Sequence, residues 1–115
     1  MRRTDGTLID VHHAGRLALQ FVDGVTDVHA FVADAKTRAA VLHQLLVMGE
    51  AVKRLPDSFR AQHPSIPWRQ IAGMRDVLIH AYDDVDEADV WRTLTTELPL
   101  VLENLAPLLP TPPAP

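Results

Sequence analysis

A chain of 115 residues, 47% of them hydrophobic, is long enough to bury one core without staples and too short for a second domain. It contains no cysteine, which excludes disulfides and thiolate zinc sites, and after Met1-Arg2-Arg3-Thr4-Asp5-Gly6 no apolar run of about 18 residues marks export or membrane insertion; a cytoplasmic protein is expected. A net charge of −4 argues, taken alone, against non-specific affinity for nucleic acid, which rests on Lys and Arg neutralising phosphate.

Glycine is scarce, strand-like alternation is absent, and apolar residues recur at three-and-four spacing, so the chain reads as all-α. A first helix is expected from about Leu8 to Val22, with Leu8, Val11, His12, Gly15, Leu19 and Val22 on one stripe and Gly24 ending it. Asp27 can cap a second segment, and the pattern continues or restarts through Lys36 to Leu55, with Val41, Leu45, Met48 and Val52 inward. Pro56 stops that run. A polar connector, Asp57 to Ser65, leads to Pro67, which suits the first turn of a helix because its missing N–H would be unpaired there anyway. The next helix is predicted from Trp68 to Tyr82, burying Ile71, Met74, Leu78 and Tyr82, with Arg75 at the edge of that stripe. Asp86 reads as the N-cap of the last helix, with Glu87 and Asp89 in its first turn. Trp91, Leu94, Leu98, Val101, Leu102 and Leu105 keep one stripe past Pro99, where a kink or break is expected. From Pro107 onward the chain holds five prolines; a helical domain over 1–108 and an extended or disordered proline-rich tail over 109–115 follow. Helices joined by short loops make an up-and-down bundle of four to five.

Charge is unevenly spread. Residues 36–75 hold seven basic groups (Lys36, Arg38, Lys53, Arg54, Arg60, Arg69, Arg75) against Glu50 and Asp57, whereas residues 76–115 hold eight acids against Arg92. A basic middle and an acidic end permit an RNA-facing cleft beside a partner-facing surface; a solvated charge mixture is the bland alternative.

The segment Met74-Arg75-Asp76-Val77-Leu78-Ile79-His80-Ala81-Tyr82 places an arginine, a histidine and the only tyrosine in an otherwise apolar helix. Guanidinium, imidazole and phenol are groups suited to holding a phosphodiester, moving a proton and offering a hydroxyl. Arg75 and Tyr82 share a stripe of an ideal helix, but His80 lies roughly 140° round from Arg75. Either the helix loosens near His80, or the long arginine reaches round, or a second copy supplies the facing group. Asp76, four before His80, is placed to hold the imidazole by a hydrogen bond.

Arg-x4-His-x-Tyr at Arg75, His80 and Tyr82 resembles the motif of HepT-like toxins, small helical ribonucleases of the HEPN superfamily. Gln44-Leu45-Leu46-Val47-Met48-Gly49-Glu50-Ala51 resembles that family's Gly-Glu-Ala helix, Pro64-Ser65-Ile66-Pro67-Trp68 its Pro-x-x-Pro-Trp segment, and Val85-Asp86 with Val90-Trp91 the stretch that follows. Four blocks in order, from about Leu8 to Leu105, make the resemblance specific where Arg-x4-His alone would be weak. It implies a bundle that dimerises around the motif helix, and a metal-independent RNA endonuclease, the toxin of a toxin–antitoxin pair, with Arg75 and His80 catalytic. It also implies a nucleotidyltransferase antitoxin, encoded by a neighbouring gene, that adenylylates Tyr82. No cofactor is expected.

For Arg75 and His80 the plain alternative is a half-buried pair tied to Asp76 and nearby carboxylates, and for Tyr82 a core aromatic with its hydroxyl at the rim. Glu50 can satisfy a helix end, pair with a base or line the cleft, and an ion pair is favoured. His12, His13, His29, His43 and His63 form no ligand set, so no metal is assigned, and Trp68 and Trp91 read as core anchors. The alternative function is a non-catalytic helical dimer that binds a nucleotide or substrate for a partner nucleotidyltransferase.

Overall fold

The computed structural model of the chain describes residues 3–111. Among them every regular element is helical: α1 (Arg3–Phe21), α2 (Val28–Ala33), α3 (Ala35–Lys53), α4 (Asp57–Gln62), α5 (Trp68–His80), α6 (Glu87–Arg92) and α7 (Leu98–Leu105). No described helix is long and apolar enough to cross a membrane.

The helix α3 is the spine of the bundle, packed against α1 on one side and α5 on the other, while α7 closes on α1 and α2 lies against α3 and α6. The expected stripes are the ones buried. Leu8, Val11, Val41, Met48 and Val52 are almost inaccessible on α1 and α3, and Leu94, Leu98 and Leu105 on the last helices. His12 and Leu19, at the edges of the α1 stripe, are half-buried. Burial removes water from the His12 imidazole and, with Arg16 nearby, pushes its pKa below the ordinary value.

Caps explain most boundaries. Asp27 accepts from the Ala30 N–H, Asp34 from Thr37 N–H, and Asp86 from Ala88 and Asp89 N–H. Asp34 leaves helical geometry, so the segment after Asp27 is two helices rather than one. Gly24, at φ +84°, supplies the left-handed residue that ends the turn after α1.

Three expectations change. The connector from Asp57 to Ser65 contains α4, held because Phe59 packs on His63 and Trp68 at centroid distances of 4.7 and 6.2 Å. The irregularity near Pro99 falls one turn earlier: Thr93–Glu97 is a wider π turn, in which Leu98 N–H donates to Thr93 O. Pro99 has no N–H to give, and in a regular helix its ring would crowd the carbonyl four residues before it; here the turn before it is wider and Pro99 sits at the start of α7. Finally, the helix predicted to reach Tyr82 stops at His80. Ala81 adopts φ −137° and ψ 39°, and Tyr82–Asp84 forms a separate 3-10 turn. Beyond α7, Ala106–Leu108 makes a last 3-10 turn, Leu108 and Leu109 pack against the core, and residues 112–115, the end of the expected tail, lie outside the described residues.

Candidate active site

The site begins with a glycine. A β-carbon built on Gly49 would stand 2.6 Å from Arg75 Cβ and 2.7 Å from the Ile71 carbonyl oxygen, separations that real β-carbons essentially never show. Only glycine lets the backbones of α3 and α5 approach this closely. That contact sets the next residue, Glu50, beside Arg75.

Arg75 Nε donates to Glu50 Oε2 at 2.5 Å, and Arg75 Nη1 to Asp76 Oδ1 at 2.9 Å. Lys53 Nζ donates to the same Asp76 oxygen at 2.7 Å. Two carboxylates and two cations thus form one chain across the α3–α5 junction. Hydrogen bonds donated to Asp76 first and Glu50 second hold the Arg75 pKa above its already high ordinary value. The Lys53 ammonium, followed by Arg75, holds the Asp76 carboxyl below the usual carboxylate range. The arginine side chain is 24% exposed, and of its five N–H donors three are left by these two bonds. A fixed guanidinium with spare donors is suited to gripping a phosphate.

His80 is placed differently. It is the last residue of α5, exposed, and its side chain makes no hydrogen bond among the described residues. The expected bond from His80 to Asp76 is absent among the described residues; the Asp76 carboxylate is turned instead to Lys53 and Arg75, which both donate to its Oδ1. Tyr82 corrects a second expectation: with the helix broken at Ala81 it leaves the stripe of Leu78, and it is 55% exposed rather than buried. It therefore no longer continues the stripe of Arg75 either. Helix α5 is regular up to His80, so loosening within the helix does not swing the imidazole toward Arg75. Val77 and Ile79, 49% and 43% exposed, flank His80 with apolar surface.

Glu50 is the ion-pair partner that the sequence favours. Lys53 is the residue that the reading missed, although a signal was present: Glu50 and Lys53 are three apart on α3 and so share the face turned to α5. Trp68 is buried, its Nε1 donating to the carbonyls of Arg60 and His63, and Trp91 is half-buried with its ring 5.4 Å from that of Phe31. Among the described residues no group of three or more His, Asp or Glu side chains is gathered as metal ligands.

A family model described as HepT-like, ribonuclease HepT-like, matches residues 11–108. A probable ribonuclease HepT of Thermococcus cleftensis is 48% identical over 69 residues, 60% of this chain and 63% of that protein, so the match spans less than two thirds of that relative. A relative from Caldanaerobacter subterraneus subsp. tengcongensis is 42% identical over 79 residues, covering 69% of this chain and 70% of its own. One from Methanocaldococcus jannaschii is 28% identical over 98 residues, 85% of this chain and 89% of its own. No solved structure matches the chain. The family match encloses Gly49, Glu50, Arg75, Asp76, His80 and Tyr82 in one span, and the chain belongs to the HepT-like ribonuclease family.

Proposed function

We propose that this chain is an RNA endonuclease that cuts without a metal ion, acting as the toxin of a toxin–antitoxin pair. The observation that carries the reading is the pairing of an anchored Arg75 with an exposed His80 on one helix of a chain from a ribonuclease family. RNA brings its own nucleophile. His80 takes the proton of the 2′-hydroxyl, whose oxygen attacks the adjacent phosphorus while the bond to the 5′ oxygen breaks. Arg75 stabilises the charge gathering on the phosphoryl oxygens, and a protonated imidazole returns a proton to the departing 5′ oxygen. The products are a 2′,3′-cyclic phosphate and a 5′-hydroxyl.

The roughly 140° between the two positions on a regular helix is resolved by a second copy. In a homodimer packed through the exposed Val77 and Ile79, Arg75 of one copy meets His80 of the other in a shared cleft. Mixing Arg75→Ala with His80→Ala protein then restores one intact centre per mixed dimer, so activity returns on mixing; no return sinks the shared cleft.

A nucleotidyltransferase antitoxin from a neighbouring gene adenylylates Tyr82, whose exposed ring in a short turn is open to such an enzyme. Each AMP adds phosphate charge beside the site and repels RNA. The nuclease reading is tested by incubating RNA with purified, unmodified protein in EDTA. Cutting is expected, and Arg75→Ala should abolish it with helical circular dichroism retained. Cutting that requires Mg²⁺ or survives the substitution removes Arg75 from the chemistry.

A further inference from the structure

Between α4 and α5 runs an open groove of about 570 Å³, lined in part by Asp57, Arg60, Trp68, Arg69, Gly73 and Asp76. Its construction is specific. The indole of Trp68 pins α4 by donating to the Arg60 carbonyl at 3.1 Å. Asp57 takes one end of the Arg60 guanidinium, and Arg60 Nε, itself buried, has no acceptor among the described residues. Gly73 leaves the wall bare, since a β-carbon there meets nothing within 4 Å. Arg69 is exposed and pairs with no carboxylate among the described residues.

Arg69, Gly73, Asp76 and His80 are spaced four, three and four along α5 and so form one stripe. The helical rise puts Arg69 about 16 Å from His80 along the axis. That separation is too large for both to hold one phosphate and suits different phosphates of one strand. The groove meets the candidate active site at Asp76, the acceptor that Arg75 and Lys53 share.

We propose that this groove is a second phosphate subsite, in which Arg69, with Arg60 beside it, holds a backbone phosphate of the RNA strand flanking the one cut at Arg75 and His80. The proposal rests on the nuclease reading, and the test separates the two. Binding of a labelled oligoribonucleotide is followed by fluorescence anisotropy over a salt series, for the full chain and for Arg69→Ala. Cleavage of the same oligomer is compared with that of a dinucleotide, which has no flanking phosphate.

Loss of one contact to a single strand should make log K against log salt shallower by about 0.7, and Arg69→Lys should regain most of that slope because it restores the charge. Arg69→Ala should lower kcat/KM more on the oligomer than on the dinucleotide. An unchanged slope, or equal losses on both substrates, overturns the subsite. If the chain binds the oligomer but cuts neither substrate, the nuclease reading fails while the slope still decides the subsite; if it binds no RNA, both fail.

Discussion

Midway along α5, Arg75 lies against Gly49 with no room for a β-carbon between the helices and gives its donors to Glu50 and Asp76. At the end of the same helix His80 stands exposed, its side chain without a hydrogen bond among the described residues, and beyond it Tyr82 occupies a short turn. One region is over-determined by packing and paired charge; the other is held by little besides backbone. The difference fits the chemistry proposed for each. A phosphate clamp works best when its geometry is fixed before substrate arrives, so that no reorganisation is left for the transition state. A residue that accepts and returns a proton, and a hydroxyl that another enzyme must reach, need exposure instead.

The largest expected effect comes from the exposed end. His80→Ala should lower RNA cleavage by about 10²–10⁴-fold, the usual contribution of a general acid–base group. Because the side chain contacts so little, the melting temperature should hardly move. A large fall in stability would show that the imidazole is structural and that the contrast between the two regions is misdrawn.

Gly49→Ala attacks the other region. The obstructing atoms are a backbone oxygen and a β-carbon, neither of which can swing aside. Overpacking of about 1–3 kcal/mol is expected from the inserted methyl group, read by denaturant titration. Cleavage should fall with it, as Arg75 is pushed off Glu50. Unchanged stability would mean that α3 and α5 separate freely and that Arg75 is not held by their contact.

Much of this contrast can be read in the sequence. The apolar spacing of Val41, Leu45, Met48 and Val52 names the buried face of α3 because a helix repeats every three to four residues. Asp86 marks a helix start because its short carboxylate reaches the N–H groups of Ala88 and Asp89. The end of α5 is not legible in that way. Nothing in Ala81-Tyr82 carries a breaker such as glycine or proline, so periodicity carries the helix on to Tyr82, whereas the helix ends at His80. Nor can local spacing reveal that Lys53, remote in sequence from Asp76, donates to the Asp76 carboxylate. The α3–α5 approach that joins them depends on Gly49, a residue the sequence reading treats only as part of a motif.

Two smaller effects sharpen the comparison. Tyr82→Phe removes one hydroxyl from an exposed ring and should leave cleavage near wild type. If the proposed nucleotidyltransferase antitoxin modifies Tyr82, co-expression with it should then add adenylyl mass to wild type and none to this variant. An inactive Tyr82→Phe would give the phenol a direct part in the site. At the anchored region, Lys53 and Arg75 depress the folded-state pKa of Asp76, so its contribution is present above the unfolded value of about 3.9 and is lost as pH falls through the folded value. An NMR titration should place the Asp76 midpoint below about 3.9. Lys53→Ala should raise it, and a midpoint that does not respond would remove Lys53 from the network.

The division of labour between Arg75 and His80 is tested most directly by the ends of the cut RNA. The measurement is mass spectrometry of an oligoribonucleotide incubated in EDTA with wild type and with His80→Ala. Wild type should give a 2′,3′-cyclic phosphate and a 5′-hydroxyl, and His80→Ala about 10²–10⁴-fold less of both. Products ending in a 3′-hydroxyl and a 5′-phosphate, or cyclic phosphate formed equally by the variant, would contradict it.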